Sequence, residues 1–235
     1  MKQIVLGLCD DQQEVLLELE HILTEFLAED GTEQYCIHSY QTGQELLDHI
    51  SECHMVFLDI DMPEMDGIAV GKEIVRRQPQ CRIIMASGIV ERFKECFSIE
   101  AVRFVTKPFD KKEIKEAVEA VKRKMIGETL IELNLHRQVY RIPQKKIEYI
   151  RAFNGYTEYQ INGKWFRKDS TLEEVENQLD QRLFARISRQ FIVNLGYIQT
   201  YRKNTVYMPD LQLPVSRRNK KAFEKKYIEY DLQYR

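Results

Sequence analysis

The chain has 235 residues, 43% of them hydrophobic and 31% charged, a balance that fits a folded globular protein and excludes a disordered or collagenous one. The net charge of -2 conceals a division: residues 1–124 carry 15 Lys and Arg against 24 Asp and Glu, a net of -9, whereas residues 125–235 carry 20 against 13, a net of +7. Opposite signs predict two domains with different partners, an acidic one able to gather a cation and a basic one able to meet a polyanion.

No run approaches the roughly 18 to 20 apolar residues of a membrane helix, so no membrane partner is expected. The apolar stretch at residues 4–8 is too short for a signal-peptide core, which predicts a cytoplasmic protein. The five cysteines, Cys9, Cys36, Cys53, Cys81 and Cys96, are 15 to 28 residues apart, without a metal-site spacing, and read as reduced core thiols.

In chain order, residues 4–8, 35–37, 55–58, 82–85 and 103–106 read as strands. Between them, sets such as Val15, Leu16, Leu19, Ile22, Leu23 and Phe26 recur at three and four residues, one buried face of a helix. Five such strand and helix pairs predict a parallel sheet covered by helices on both sides, the last helix running from about residue 111 to 124 behind an Asp110 cap. Residues 125–128 read as a short hinge. The remainder, residues 129–235, holds ten of the twelve tyrosines and short alternating runs at 130–135, 139–142, 147–152, 156–161, 192–195, 205–208 and 211–215. With the turn signals Asn154-Gly155 and Asn162-Gly163 these predict a mostly antiparallel β domain, interrupted by one amphipathic helix near residues 171–179.

In an open parallel sheet the chemistry collects beyond the carboxyl ends of the strands. There the acidic half places Asp10 and Asp11 after the first strand, Asp59 at the end of the third, Ser87 after the fourth and Lys107 after the fifth. With the first and third strands adjacent, three carboxylates converge, which is unfavourable unless a cation sits among them. Oxygen-only ligands point to magnesium. Asp59, Lys107 and Ser87 then supply the nucleophile, the positive clamp and the hydroxyl donor of a phosphoryl transfer.

These residues, together with Phe57-Leu58-Asp59-Ile60-Asp61-Met62-Pro63-Glu64-Met65-Asp66-Gly67 and Lys107-Pro108-Phe109, resemble the receiver domain of two-component response regulators across essentially all of residues 1–124. The resemblance implies a flavodoxin-like fold and phosphorylation of Asp59 by a sensor histidine kinase. It also implies a magnesium ion held by Asp11, Asp59 and the backbone carbonyl of Asp61 with Asp10 acting through water. Lys107 pairs with the phosphoryl group, Ser87 swings toward it and Phe104 is the aromatic switch. Gln12 departs from the acidic residue frequent in the family, which makes the edge of the site less negative. Asp59-Ile60-Asp61 also looks like the nucleophile motif of haloacid-dehalogenase phosphatases, but in that family the metal carboxylates follow the nucleophile, whereas here the acidic pair precedes it.

In the basic half, Arg182, Arg186, Arg189, Arg202, Lys203, Arg217, Arg218, Lys220 and Lys221 concentrate positive charge late in the chain, with no helix-turn-helix or RNA-recognition signal. Residues 146–156, the stretch Phe184 to Asn194 and the stretch Leu213 to Arg218 resemble the LytTR DNA-binding domain, which the match identifies over about residues 128–228. The resemblance implies a domain that inserts loops into successive major grooves of double-stranded promoter DNA with repeated sites. The contacts carried over are Asn154, Tyr156, Thr157, Arg189, Arg217 and Arg218, with Lys220 and Lys221 attracting phosphates. Ser188 stands where the family commonly has His. Asn194 reads as a strand-end stabiliser, and Tyr149 and Phe191 as core. The whole implies a transcription regulator that is not a metabolic enzyme, dimerises when phosphorylated and works with RNA polymerase. A receiver joined to an RNA-binding or protein-binding output is the other reading.

Overall fold

The computed structural model describes residues 3–30, 34–88 and 90–234. The chain divides into two compact units, Met1–Arg123 and Lys124–Arg235.

In the first unit, β1 (Gln3–Cys9), β2 (Gln34–Tyr40), β3 (Met55–Asp59), β4 (Arg82–Ser87) and β5 (Arg103–Thr106) form a parallel sheet in the order β2-β1-β3-β4-β5. The order reverses between β1 and β3, the switch point at which the carboxyl ends of strands open a crevice. Every residue of β3 is buried, as a strand covered on both faces requires. The connections are α1 (Gln13–Asp30), α2 (Gly43–His49) and α3 (Gly67–Arg77), with α4 (Lys111–Met125) following β5. One face of the sheet, through Val56, Leu58, Ile83 and Met85, packs against Leu46 and Leu47 of α2 and Val70 and Ile74 of α3.

Two expectations change here. The fourth crossover, Val90–Ile99, is a 3₁₀ helix rather than an α-helix. Such runs rarely exceed three or four residues, and their side chains at i and i+3 eclipse. Arg92 and Glu95 use that repeat to form an ion pair of 2.9 Å. Four cysteines are buried free thiols, but Cys36 lies on the edge strand β2 and is only partly buried.

The second unit has a seven-stranded antiparallel sheet. Its strands are β6 (Leu130–Leu135), β7 (Gln138–Pro143), β8 (Tyr149–Phe153), β9 (Tyr156–Ile161), β10 (Lys164–Lys168), β11 (Phe184–Arg186) and β12 (Phe191–Asn194), in the order β11-β12-β8-β9-β10-β6-β7. A three-stranded meander, β13 (Thr200–Arg202), β14 (Thr205–Met208) and β15 (Leu211–Pro214), completes the β structure. The Asn-Gly pairs 154–155 and 162–163 have positive φ at both residues, which type I′ hairpin turns require. The helix α5 (Leu172–Gln178) opens on a Thr171/Glu174 capping box.

A further helix, α6 (Lys220–Tyr234), lies beyond residue 215, where no element was expected. Phe223, fully buried, stacks on Tyr227 at 5.8 Å and meets Tyr201 of β13 edge-on at 5.0 Å. The segment read as a hinge is held down at Gly127. Its N–H donates to Asp180 Oδ2 at 3.0 Å, and its carbonyl accepts from the Lys145 N–H at 2.8 Å. Its φ is +66°, and a Cβ at this position would come within 2.5 Å of Leu183, so both conformation and space demand glycine.

Candidate functional site

The sheet register fixes one end of the first unit. Cys9 lies beside Leu58, Asp59 beside Ala86 and Ser87 beside Thr106, so Asp10, Asp11, Asp59, Ser87 and Lys107 all emerge at the carboxyl ends of neighbouring strands. Oxygens of Asp10, Asp11 and Asp59 lie within 4.8 Å of one another. Lys107 Nζ stands between two of them, 2.5 Å from Asp10 Oδ2 and 2.9 Å from Asp59 Oδ1.

Three carboxylates against one ammonium leave a negative excess. Burial, reinforced by the neighbouring Asp10 charge, holds the Asp59 carboxyl above the usual carboxylate range, although Lys107 pulls the other way. Burial would lower the Lys107 ammonium, but its bonds to Asp10 and Asp59 outweigh that and raise it. Asp11 Oδ1 is buried with no hydrogen-bond partner, a costly state for a carboxylate oxygen. An unsatisfied hard oxygen beside two further carboxylates fits a magnesium ion.

Asp10 also closes a local Asx turn, accepting from the Gln12 N–H at 3.1 Å. Asp61 sends its carboxylate away from the cluster: Oδ1 is 2.9 Å from Arg92 Nη1, and Oδ2 accepts from Ser87 Oγ at 3.4 Å. The Cys9 thiol, adjacent to the site, is pushed up to about 12 by burial and by Asp10 and Asp59, so it is no competing nucleophile. Phe104 lies on β5 beside Met85, half-buried against the core. Thr106 anchors the strand end, its N–H and hydroxyl both donating to Glu113 Oε2.

Two contributors escaped sequence reasoning. Gly67 opens α3 directly behind the nucleophile, donating its N–H to the Ile60 carbonyl at 2.8 Å, and a Cβ there would lie 1.9 Å from the Asp59 carbonyl oxygen. Its signal was present in the Asp66-Gly67 pair of the motif. Arg92, which bridges Asp61, Asp66 and Glu95, had none, because nothing local marks a lone arginine as a bridge.

In the second unit, three segments meet at one end of the large sheet. The hairpin turn at Asn154-Gly155 projects from β8 and β9, and the Ala152 N–H of β8 donates to the Gln190 carbonyl of the loop between β11 and β12. That loop is folded by Ser188, whose hydroxyl accepts from the N–H groups of Gln190 and Phe191 at 3.1 Å each, leaving Arg189 exposed at the tip. The segment before α6 is laced to the same loop, the Ser216 N–H donating to the Ile187 carbonyl and Asn219 Nδ2 to the Arg186 carbonyl. Exposed Arg217, Arg218, Lys220 and Lys221 follow there. Positive residues at the positive end of a helix dipole repel it unless an anion is near, so this end of the sheet is suited to phosphates.

Tyr156 is half-buried, its ring under the Arg167 guanidinium at 3.5 Å. Thr157 is a correction: it is fully buried, and its hydroxyl is bonded to the Lys168 carbonyl and Ser170, so it has nothing to offer a ligand. Asn194 is structural, donating to the Ile147 carbonyl at 2.7 Å and accepting from Gly196. Tyr149 and Phe191 pack, partly buried, against the core beneath the meander.

Comparison with known proteins follows the same division. Residues 6–119 match the response regulator receiver domain, and residues 137–228 match the LytTr DNA-binding domain. The sensory transduction protein LytT of Bacillus subtilis (strain 168) is 24% identical over 190 residues, which covers 73% of this chain and 78% of that protein. The transcriptional regulatory protein LytR of Staphylococcus aureus (strain N315) is 23% identical over 247 aligned positions, 97% of either chain. A solved LytTr DNA-binding domain of a Bacillus cereus response regulator covers 43% of this chain and 97% of its own at 24% identity, with a TM-score of 0.39.

Proposed function

Because the chain belongs to the response regulators that join a receiver domain to a LytTr DNA-binding domain, we propose that a phosphoryl group on Asp59 controls how its basic end engages duplex promoter DNA, and so controls transcription. The observation that carries this reading is the cluster of Asp10, Asp11 and Asp59, the first and last of them buried and paired with Lys107, with one Asp11 oxygen left unsatisfied.

In this reading the donor is the phosphohistidine of a sensor kinase. An Asp59 oxygen attacks phosphorus, the new O–P bond forms as the N–P bond breaks, and the proton needed by the leaving imidazole stays with the donor. Lys107 holds the acceptor oxygen of Asp59 before transfer and a phosphoryl oxygen after it. Asp11, Asp59 and the Asp61 carbonyl, with Asp10 assisting, would hold a magnesium ion, which when bound would supply positive charge to offset that of the phosphoryl oxygens. Ser87 donates to the transferred group, and Phe104 on the adjacent strand repacks with it. The shifted population changes the receiver surface used for dimerisation. Two copies then hold two basic ends over repeated sites, where Asn154, Tyr156, Arg189, Arg217 and Arg218 meet base edges and Lys220 and Lys221 meet phosphates. Contact with RNA polymerase follows from promoter occupancy.

The test is labelling of the full chain by a small phosphodonor with magnesium. Asp59→Asn should abolish it, and Asp11→Ala should reduce it through lost metal affinity. Label retained in Asp59→Asn and mapped to Asp61 or Asp66 refutes the assignment.

A further inference from the structure

The phosphorylation chemistry uses the backbone of Asp61 and leaves its carboxylate unemployed, yet that carboxylate is held firmly. Arg92 Nη1, in the 3₁₀ crossover, lies 2.9 Å from Asp61 Oδ1 and 2.7 Å from Asp66 Oδ2, while Nη2 lies 2.9 Å from Glu95 Oε2. Asp66 is itself fixed as the N-cap of α3, its Oδ1 accepting from the Ile68 N–H at 2.8 Å. Burial acts to raise the Asp66 carboxyl, but its bonds to Arg92 and the Ile68 N–H prevail and lower it. The Arg92 side chain is only 23% exposed, less than any of its three partners. A planar fork engaged on two edges orients what it binds. Held this way, Asp61 turns Oδ2 toward the Ser87 hydroxyl at 3.4 Å.

A hydroxyl has one proton to donate. Ser87 can give it to Asp61 or to a phosphoryl oxygen on Asp59, not to both. We propose that Asp61, oriented by Arg92, is a competing acceptor that biases the Ser87 hydroxyl away from the phosphoryl group, and that Asp61 and Arg92 are therefore positioning residues that set how readily the receiver responds. At 3.4 Å the contact is near the outer limit of a hydrogen bond, so it is a bias that a charged phosphoryl oxygen overcomes rather than a block. The inference rests on the proposed roles of Asp59 as acceptor and Ser87 as donor.

The experiment titrates the full chain with beryllofluoride, a phosphoryl mimic, at saturating magnesium, and reads half-saturation by calorimetry. Asp61→Ala and Arg92→Gln should each lower the half-saturating concentration about three- to tenfold, the range of one modest hydrogen bond. Asp61→Asn, which keeps the side-chain shape and a weaker acceptor, should fall between Asp61→Ala and the unaltered chain. The two main substitutions change the local charge in opposite directions, so a shared effect cannot be simple electrostatics. In a Ser87→Ala background all three effects should vanish. Shifts of opposite sign that follow the charge, or shifts that persist without Ser87, overturn the inference while leaving the role of Asp59 intact. Failure of the unaltered chain to bind beryllofluoride overturns both.

Discussion

Lys107→Met tests the charge balance of the acidic cluster. In the structure the ammonium satisfies Asp10 at 2.5 Å and Asp59 at 2.9 Å, and both carboxylate side chains are only 5% exposed while the ammonium is 17% exposed. Removing one partner of a buried ion pair costs about 3–5 kcal/mol, because the other charge remains buried. Partial access of solvent to Lys107 reduces the expectation to about 2–3 kcal/mol without magnesium, or on the order of 10 °C in Tm.

Two conditions should repair the loss. Magnesium replaces the missing positive charge, so the variant should gain more stability from it than the unaltered chain does. Acid should also help. The folded-state pKa of Asp59 lies above its ordinary value of 3.8, so the folded protein holds that proton more tightly, and stability falls as pH rises through the interval between the two values. The assay is thermal unfolding by far-ultraviolet dichroism, with fluorescence of Trp165, the single tryptophan and a residue of the second unit, as internal reference. A deficit below about 1 kcal/mol, or an equal response of variant and parent to magnesium, would refute the view that Lys107 neutralises buried charge.

Gly67→Ala should lower stability by about 2 kcal/mol or more in urea unfolding, despite the better helix propensity of alanine, because its Cβ would lie 1.9 Å from the Asp59 carbonyl oxygen; it should also slow labelling of Asp59. Asp180→Asn should cost about 1–3 kcal/mol in the Trp165 transition. Burial acts to raise the Asp180 carboxyl, but Arg182 and the Gly127 N–H hold it below 3.8, so its contribution is present above that value and lost as pH falls through the lowered one, and the asparagine variant should show a flatter acid limb. Arg189→Ala and Arg218→Ala should each cost about 1–3 kcal/mol on cognate DNA and much less on random DNA. Removing Lys220 and Lys221 together should weaken both DNAs alike and reduce the salt dependence by about two counterions; equal losses on both DNAs for the arginine variants would make them phosphate clamps.

The parallel sheet was legible because each buried strand is an apolar run that stops at a polar residue, and the pocket followed from where those runs stop. Asp10, Asp59 and Lys107 needed only that rule and the order of strands to be brought together. Thr157 was misjudged although its neighbours carried the answer: Tyr159 and Ile161 are inward on the same strand, and a period of two puts Thr157 with them. The C-terminal helix hid behind its tyrosines, yet Phe223, Tyr227, Tyr230 and Tyr234 recur at four, three and four residues, a helical stripe. The Arg92 bridge has no comparable local signature, since it depends on carboxylates presented by the loop after another strand.

The hold on Gly127 bears on how such regulators can be recombined. Ile126 packs against the core of the output unit, and Gly127 is bonded on both sides to residues of that unit. The boundary at which a foreign receiver could be grafted therefore lies ahead of Ile126. A splice placed after Glu128 would put a foreign residue at position 127, and any residue but glycine there would collide with Leu183 and Lys145. A library of chimeras with staggered junctions should lose its folded output domains abruptly as the junction passes this glycine.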